Sequence, residues 1–210
     1  LHLVRSDALR RGEPLSAITR RLTTAFGVRT TLIPATDAPL RTQVQTPQGE
    51  FAFQEWFVAR AHRDEVGGVR FDGAESAEPA HGVIEALESA DSILIAPSNP
   101  FVSIGPILAV EAIRAAIADR NVPSVAVSPL IGGRAVKGPS DRMLQRLPGG
   151  TSPSQVTSCY KGLIDALVYG VSDGEVELDV RPLVTRTLMT DAASRRRVAE
   201  TALEAAAALR

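Results

Sequence analysis

The chain has 210 residues, 44% of them hydrophobic and 22% charged, which is the balance of a soluble globular protein with one sizeable domain. A formal net charge of −1 argues against nucleic acid or an anionic membrane as its main partner, and no apolar run approaches the roughly 20 residues that span a bilayer. The single cysteine, Cys159, excludes an internal disulfide and predicts a reducing, cytoplasmic compartment.

The first third of the chain predicts a mixture of helices and short strands. Apolar residues three and four apart predict a helix over Pro14–Phe26, which Gly27 ends. The other elements predicted here are helices at Leu1–Arg11 and Gln54–His62 and strands at Thr30–Pro34, Thr42–Thr46 and Gly67–Phe71.

The centre of the chain predicts a parallel βαβ unit, preceded by a helix at Pro79–Ala90. Ile93–Ala96 is a continuous apolar run, as expected for a strand that is covered on both faces. Ser103 is the predicted cap of a helix that runs to about Arg120, and Val125–Val127 is the next strand. A right-handed crossover then makes the two strands parallel.

Helices and strands continue to alternate in the last third. The predicted helices are Pro139–Leu147, Ser152–Leu167 and Asp191–Leu209, and the predicted strands are Leu167–Val171 and Leu183–Leu188. The pattern predicts an α/β fold: a mostly parallel sheet with helices on both faces, Rossmann-like and three-layered, with a smaller helical and β appendage. We expect residues 1–210 to form a single α/β domain in which residues 12–78 are an inserted substrate-binding subregion.

Two loops follow the carboxyl ends of the central strands, where ligands bind in open parallel sheets. In the first, Ser98, Asn99 and Ser103 offer compact hydrogen-bonding groups near a helix N-terminus, whose N–H groups suit an anion. Turn formation and helix capping explain the same three residues without a ligand.

The second loop is rich in glycine and carries two cations. Gly132 and Gly133 let backbone N–H groups approach a ligand closely, while Arg134 and Lys137 add positive charge. Together they predict the binding of a phosphate or diphosphate. Because the loop has neither Walker A nor Gly-x-Gly-x-x-Gly spacing, these residues alone indicate only a phosphate-bearing small molecule.

Both loops resemble those of the 2-phospho-L-lactate transferase family of coenzyme F-420 biosynthesis. The similar segments are Ala96–Pro100, Ser103–Leu108, Ser128–Pro139, Leu1–Arg5, Phe53–Val58 and Ser152–Pro153. The resemblance covers nearly all of the chain, and the second loop is its most specific part.

The resemblance implies a transferase that moves a phospholactyl or phosphoenolpyruvyl group from a guanosine diphosphate-linked donor to the ribityl hydroxyl of a 5-deazaflavin. GMP is released, Mg²⁺ assists, and the relatives imply a homodimer. The residues expected to line the donor diphosphate are Ser98, Asn99, Ser103, Gly132, Gly133, Arg134 and Lys137. Trp56 is the candidate for stacking on the deazaflavin, although a lone Trp between two Phe residues is more often part of a core.

Members of this family begin with a strand, a glycine-rich loop and metal-binding carboxylates, none of which precedes Leu1 in this sequence. We therefore expect the C-terminal two-thirds of a longer fold, with an incomplete and inactive site and with no catalytic or metal-binding residue assigned in it. The alternative is a regulatory protein of a related branch, which binds UDP-sugars. The loop from Gly132 to Lys137 favours the transferase.

Overall fold

The computed structural model describes residues 1–136, 138–146 and 150–210. The α-helices are α1 (His2–Arg10), α2 (Leu15–Ala25), α3 (Val83–Glu88), α4 (Gly105–Leu108), α5 (Glu111–Ala118), α6 (Ser140–Leu144), α7 (Pro153–Cys159) and α8 (Ala192–Ala207). The strands are β1 (Arg41–Thr46), β2 (Gly49–Ala52), β3 (Gly68–Asp72), β4 (Ile93–Ile95), β5 (Ser124–Val127), β6 (Leu130–Ile131), β7 (Arg134–Ala135), β8 (Ala166–Gly170) and β9 (Arg181–Thr185). Short π-helical segments lie at Glu55–Ala59 and Pro100–Ile104, and 3₁₀ segments at Ala74–Ser76 and Val171–Asp173.

A four-stranded parallel sheet forms the centre of the molecule, in the order β4-β5-β8-β9. Its register places Leu94 beside Val125, Val127 beside Val168, and Val168 beside Leu183. Because all four strands run the same way, their carboxyl ends meet at one edge of the sheet, as the sequence predicts for β4 and β5.

Helices cover both faces of this sheet. On one face, Ala202 and Ala205 of α8 pack with Val125 and Val168, and small alanine side chains let the helix approach the strands closely. On the other face, a larger core joins the sheet to α5, α7 and the segment after α7; its buried members include Ile95, Ala126, Ile113, Val156, Tyr160 and Leu167. The predicted α/β fold, with a parallel sheet between helices, is confirmed.

The smaller sheet is antiparallel, with the order β2-β1-β3. Val44 of β1 lies opposite Phe51 of β2 and Val69 of β3. Val44 is fully buried in a separate cluster with Trp56 and with Met143 of α6. This sheet falls within residues 12–78, whose role as a substrate-binding subregion stays a prediction.

Several predicted elements differ from the structure. Thr30–Pro34 is not a strand, because the described residues near it pair only through an isolated bridge between Thr36 and Pro79. The helix predicted at Ser152–Leu167 ends at Cys159, and Gly162 follows in the left-handed region at φ +78°. A third difference concerns the helix after β4.

The helix predicted from Ser103 to Arg120 is broken into two arms. Pro100–Leu108 and Glu111–Ala118 meet at an angle of 90°. Between them, Val110 is extended at φ −76° and ψ 104°, which interrupts the helix. Its side chain is fully buried in the core. None of the helices in the described ranges has the length and apolar character of a membrane span, and only the two arms of this bent pair, counted together, reach them.

Candidate functional site

A cavity of about 450 Å³ opens at the carboxyl edge of the parallel sheet. The loops after β4, β5 and β9 form it together with the aromatic segment after β2. The described residues around it are Phe53, Phe57, Pro97, Ser98, Asn99, Val102, Ser103, Ser128, Pro129, Ile131, Val136, Gly138, Pro139, Ser140, Thr187, Leu188 and Met189. The structure thus brings both predicted loops to one cavity.

Asn99 organises the first loop. Its side-chain oxygen accepts hydrogen bonds from the N–H groups of Phe101 (2.8 Å) and Val102 (3.2 Å), and its Nδ2 donates to Sδ of Met143 (3.3 Å). Its backbone carbonyl accepts from the N–H groups of Ser103 and Ile104 at 3.1 and 3.0 Å. Asn99, rather than Ser103, is therefore the cap.

This capping changes what the first loop offers to an anion. The N–H groups from residue 101 to residue 104 are already bonded to Asn99, so they are not the free donors expected at a helix N-terminus. Ser103 is exposed to the cavity and Ser98 is half-buried in its wall. The polar groups that this loop presents are consequently hydroxyls and one amide.

The second loop is a β-hairpin, which the sequence reasoning missed. Ile131 pairs with Arg134, and between them Gly132 and Gly133 have φ values of +59° and +69°, as in a type I′ turn. The N–H of Gly133 donates to Oδ1 of Asp173 at 2.9 Å. Two glycines between short apolar runs are the signal that could have revealed this hairpin.

The tip of the hairpin is not part of the described cavity lining. Gly132, Gly133 and Arg134 are not among the described residues that line it, whereas Val136 and Gly138 are. Lys137 lies outside the described residues. Phosphate binding by these four residues stays a prediction.

Aromatic side chains form one wall, but Trp56 is not among them. Trp56 is 1% exposed and its Nε1 donates to the carbonyl of Asp64 at 3.3 Å, so its ring belongs to the core in this conformation. Phe53 and Phe57 line the cavity instead, stacked with ring centroids 5.3 Å apart and planes 20° apart.

Thr187, Leu188 and Met189 also line the cavity and were missed. The sequence placed the fourth strand at Leu183–Leu188, whereas β9 ends at Thr185. Since the predicted strand ran on to residue 188, Thr187 and Leu188 were assigned to it rather than to a loop at the binding edge. The rule that ligands bind beyond the carboxyl ends of strands would have found them with the correct end.

Charged side chains flank this cavity, and none is among its described lining residues. In an adjoining cavity of about 270 Å³, Arg142 contacts Nδ1 of His62, and Arg146 forms a bidentate pair with Glu65 at 2.6 Å. Pro139 borders both cavities.

The described lining of the cavity contains no carboxylate that could hold a magnesium ion. No group of three or more His, Cys, Asp or Glu side chains comes together among them, and the lining offers hydroxyls without a carboxylate. Mg²⁺ is usually held by one or two carboxylates, so these residues do not fit the ion by themselves.

A family model described as 2-phospho-L-lactate transferase CofD matches residues 1–199. The chain is 35% identical to a 2-phospho-L-lactate transferase of Methanosarcina acetivorans, over 95% of the chain and 66% of the relative. It is 38% identical to one of Haloarcula marismortui, over 97% and 61%. It is 39% identical to a phosphoenolpyruvate transferase of Streptomyces griseus, over 100% and 69%. The chain thus spans about two thirds of the length of these relatives.

Solved structures show the same fold. Two crystal structures of a Bacillus halodurans protein, one of them described as a member of the upf0052 family, match with TM-scores of 0.68 and 0.66. They cover 96% of this chain and 70% of theirs, at 15% and 16% identity.

Proposed function

The chain belongs to the 2-phospho-L-lactate transferase CofD family, and from that premise we propose that it transfers a phospholactyl or phosphoenolpyruvyl group. The donor is linked to guanosine diphosphate, the acceptor is the ribityl hydroxyl of a 5-deazaflavin, and GMP is released. The observation that carries this proposal is one cavity that combines the polar loop at Asn99 with the Phe53–Phe57 stack.

The polar end of the cavity suits the donor. Ser98 and Ser103 supply hydroxyls that can donate to phosphate oxygens, and Asn99 holds the loop in place. Hydrogen-bond donors that are fixed before the reaction stabilise the charge that develops on a leaving phosphate. The residues predicted in the second loop, Arg134 and Lys137, would add positive charge to the same donor.

The aromatic end suits a flat, tricyclic acceptor. A face of Phe53 or Phe57 can stack against such a ring, and Leu188 and Met189 add apolar surface. With both substrates in the cavity, the acceptor oxygen bonds to phosphorus while the phosphoanhydride bond to GMP breaks. Mg²⁺ would come to this reaction with ligands beyond the described cavity residues.

Ligand-dependent melting tests the nucleotide assignment. A ligand that binds only the folded state raises the melting temperature, so we expect GDP to stabilise the chain more than a UDP-sugar does. Turnover is then assayed with both proposed donors, a 5-deazaflavin and Mg²⁺, using the 210-residue chain and the complete product of its gene. Stabilisation by the UDP-sugar alone, without turnover by either protein, would instead support a regulatory nucleotide-sugar-binding protein.

A charge placed in the polar loop tests where the diphosphate lies. Asn99→Asp keeps an oxygen that can accept from Phe101 and Val102 but adds a negative charge to the cavity wall. We expect GDP affinity, measured by calorimetry, to fall about tenfold or more through like-charge repulsion. Asn121→Asp, in an exposed loop outside this cavity, is the matched control and should change GDP affinity less than about twofold. Equal affinities in the two variants would remove Asn99 from the donor site.

A further inference from the structure

Two buried oxygen atoms without hydrogen-bond partners among the described residues lie at the cavity, one on a lining residue and one beside it. They are Oδ2 of Asp173, in the 3₁₀ segment after β8, and Oγ1 of Thr187, just after β9; neither has a partner among the described residues. Thr187 is 6% exposed and lines the cavity. A buried polar group without a hydrogen bond destabilises the folded state, so we expect these two oxygens to bind a hydrogen-bonding partner.

Gly170 brings the two oxygens together. A Cβ at Gly170 would lie 2.9 Å from Oδ2 of Asp173 and 3.1 Å from Oγ1 of Thr187. Both atoms therefore lie near the same point at the end of β8, and Oγ of Ser172 lies 3.5 Å from it. Adjacent strands of the parallel sheet, β8 and β9, deliver them to the edge where the cavity opens.

The hairpin fixes the direction of the Asp173 carboxylate. Oδ1 accepts the N–H of Gly133 at 2.9 Å, which leaves Oδ2 on the side of Thr187. An ionised carboxylate only accepts hydrogen bonds, so a hydroxyl that binds it must donate its proton to it. The two oxygens are not hydrogen-bonded to each other in this structure. A rotation of the Thr187 side chain that lets its hydroxyl donate to Asp173 would leave its lone pairs to accept a hydrogen bond from the cavity.

We propose that Thr187 binds the reacting hydroxyl of the acceptor and that Asp173 is the positioning residue behind it. The inference rests on the proposed function. The acceptor O–H donates to Oγ1 of Thr187, and an oxygen lone pair remains free to attack phosphorus. As the new O–P bond forms and the phosphoanhydride bond to GMP breaks, the acceptor proton passes to Thr187, and Thr187 passes its own proton to Oδ2 of Asp173.

Asp173→Asn reverses the direction of this hydrogen-bond chain. The asparagine oxygen can still accept from Gly133, but an N–H₂ group replaces Oδ2 and donates to Thr187. Thr187 then donates to the acceptor hydroxyl and engages the lone pair needed for attack. We expect kcat to fall about tenfold or more while the acceptor KM changes little.

Variants of Thr187 test the contact itself. Thr187→Val removes the hydroxyl and should lower kcat/KM for the acceptor about tenfold or more, whereas Thr187→Ser should restore most of it. GDP affinity should stay within about twofold in every variant, since the pair faces the acceptor. Thr185→Val, the same change on β9 outside the cavity lining, and Glu175→Gln are the matched controls.

The assays use the complete gene product with donor, 5-deazaflavin and Mg²⁺, after melting curves establish that each variant is folded. Wild-type turnover that persists in Thr187→Val and Asp173→Asn would overturn the inference and leave the proposed function intact. Loss of GDP binding in Thr187→Val would overturn the assignment to the acceptor. A wild type that neither binds GDP nor turns over would contradict the proposed function instead.

Discussion

Single side chains in this molecule carry roles that composition does not reveal. Asn99 and Trp56 were both candidate ligand contacts, yet Asn99 also caps the segment after β4 and Trp56 packs in the core. Cys159, on α7, is partly buried, and this burial raises the pKa of the thiol from 9.0 to about 11. The residue type determines which interactions a side chain can make, whereas its burial in the folded protein decides which of these interactions it makes.

The raised pKa of Cys159 predicts slow reaction and a defined pH dependence. At pH 8 the folded chain should react with a thiol reagent on the order of a hundredfold more slowly than its unfolded form. Because the folded-state pKa is raised, the neutral thiol's contribution to stability is complete below about pH 9 and is lost as pH rises toward 11. Urea unfolding of the wild type and of Cys159→Ala from pH 7 to pH 11 checks this, and the difference between them should shrink only in that window.

At the scale of elements, the sequence predicts long regular pieces better than short ones. The central strands and α8 follow from continuous apolar runs and from an apolar stripe, and the structure has them. The β6–β7 hairpin has two residues in each strand, too few for alternation to be recognised. Its two adjacent glycines, which have positive φ values, are the feature of the sequence that indicates this hairpin.

The type I′ turn predicts that substitutions at its two glycines differ in their effect on stability. Gly133→Ala should lower the free energy of unfolding by about 1–2 kcal/mol, because alanine is unfavourable at φ +69° and its Cβ would lie 3.1 Å from Oγ1 of Thr151. Gly132→Asn should be nearly neutral, since asparagine is common in this turn and the nearest atom is 3.6 Å away. Urea unfolding checks both, and equal losses would contradict the turn assignment.

For the whole molecule, the two edges of the parallel sheet differ in role: one carries the candidate binding cavity and the other carries contacts that stabilise the fold. The cavity occupies the carboxyl edge. At the amino edge, Arg120 is held by Asp165 at 2.7 Å and by the carbonyl of Ile117 at 2.9 Å, while Asp165 also accepts from the N–H of Ser124 at 2.8 Å. These contacts tie α5, β5 and β8 together at the edge opposite the cavity.

Replacing Asp165 should therefore lower the stability of the fold without changing GDP binding. Asp165→Ala leaves the Arg120 side chain, which is 9% exposed, without its carboxylate, and the free energy of unfolding should fall by about 1–3 kcal/mol. GDP affinity below the melting range should change less than about twofold. Asp119→Ala, an exposed neighbour, is the control for stability. A large loss of GDP affinity with unchanged stability would contradict this division.

The position of the site was more predictable than its composition. Strand order and direction place any ligand at the carboxyl edge, and that inference needs only β4, β5 and a crossover. The identity of the wall depends on where strands end and on packing between distant segments, as with Phe57 and Thr187. Local sequence patterns fix neither the exact strand ends nor the packing between distant segments, so these residues can be identified only in the folded structure.

The close approach of α4 to β3 at Gly105 bears on which sequences the family can tolerate. A Cβ there would lie 2.9 Å from the Phe71 ring tip on β3 and 3.0 Å from the carbonyl of Pro100. Gly105 is not among the described residues that line the cavity, yet it packs the segment that follows Asn99 against the small antiparallel sheet, next to which Phe53 and Phe57 lie. A saturation library selected for turnover should thus be depleted of every other amino acid there, and a survivor should carry a smaller side chain in place of Phe71.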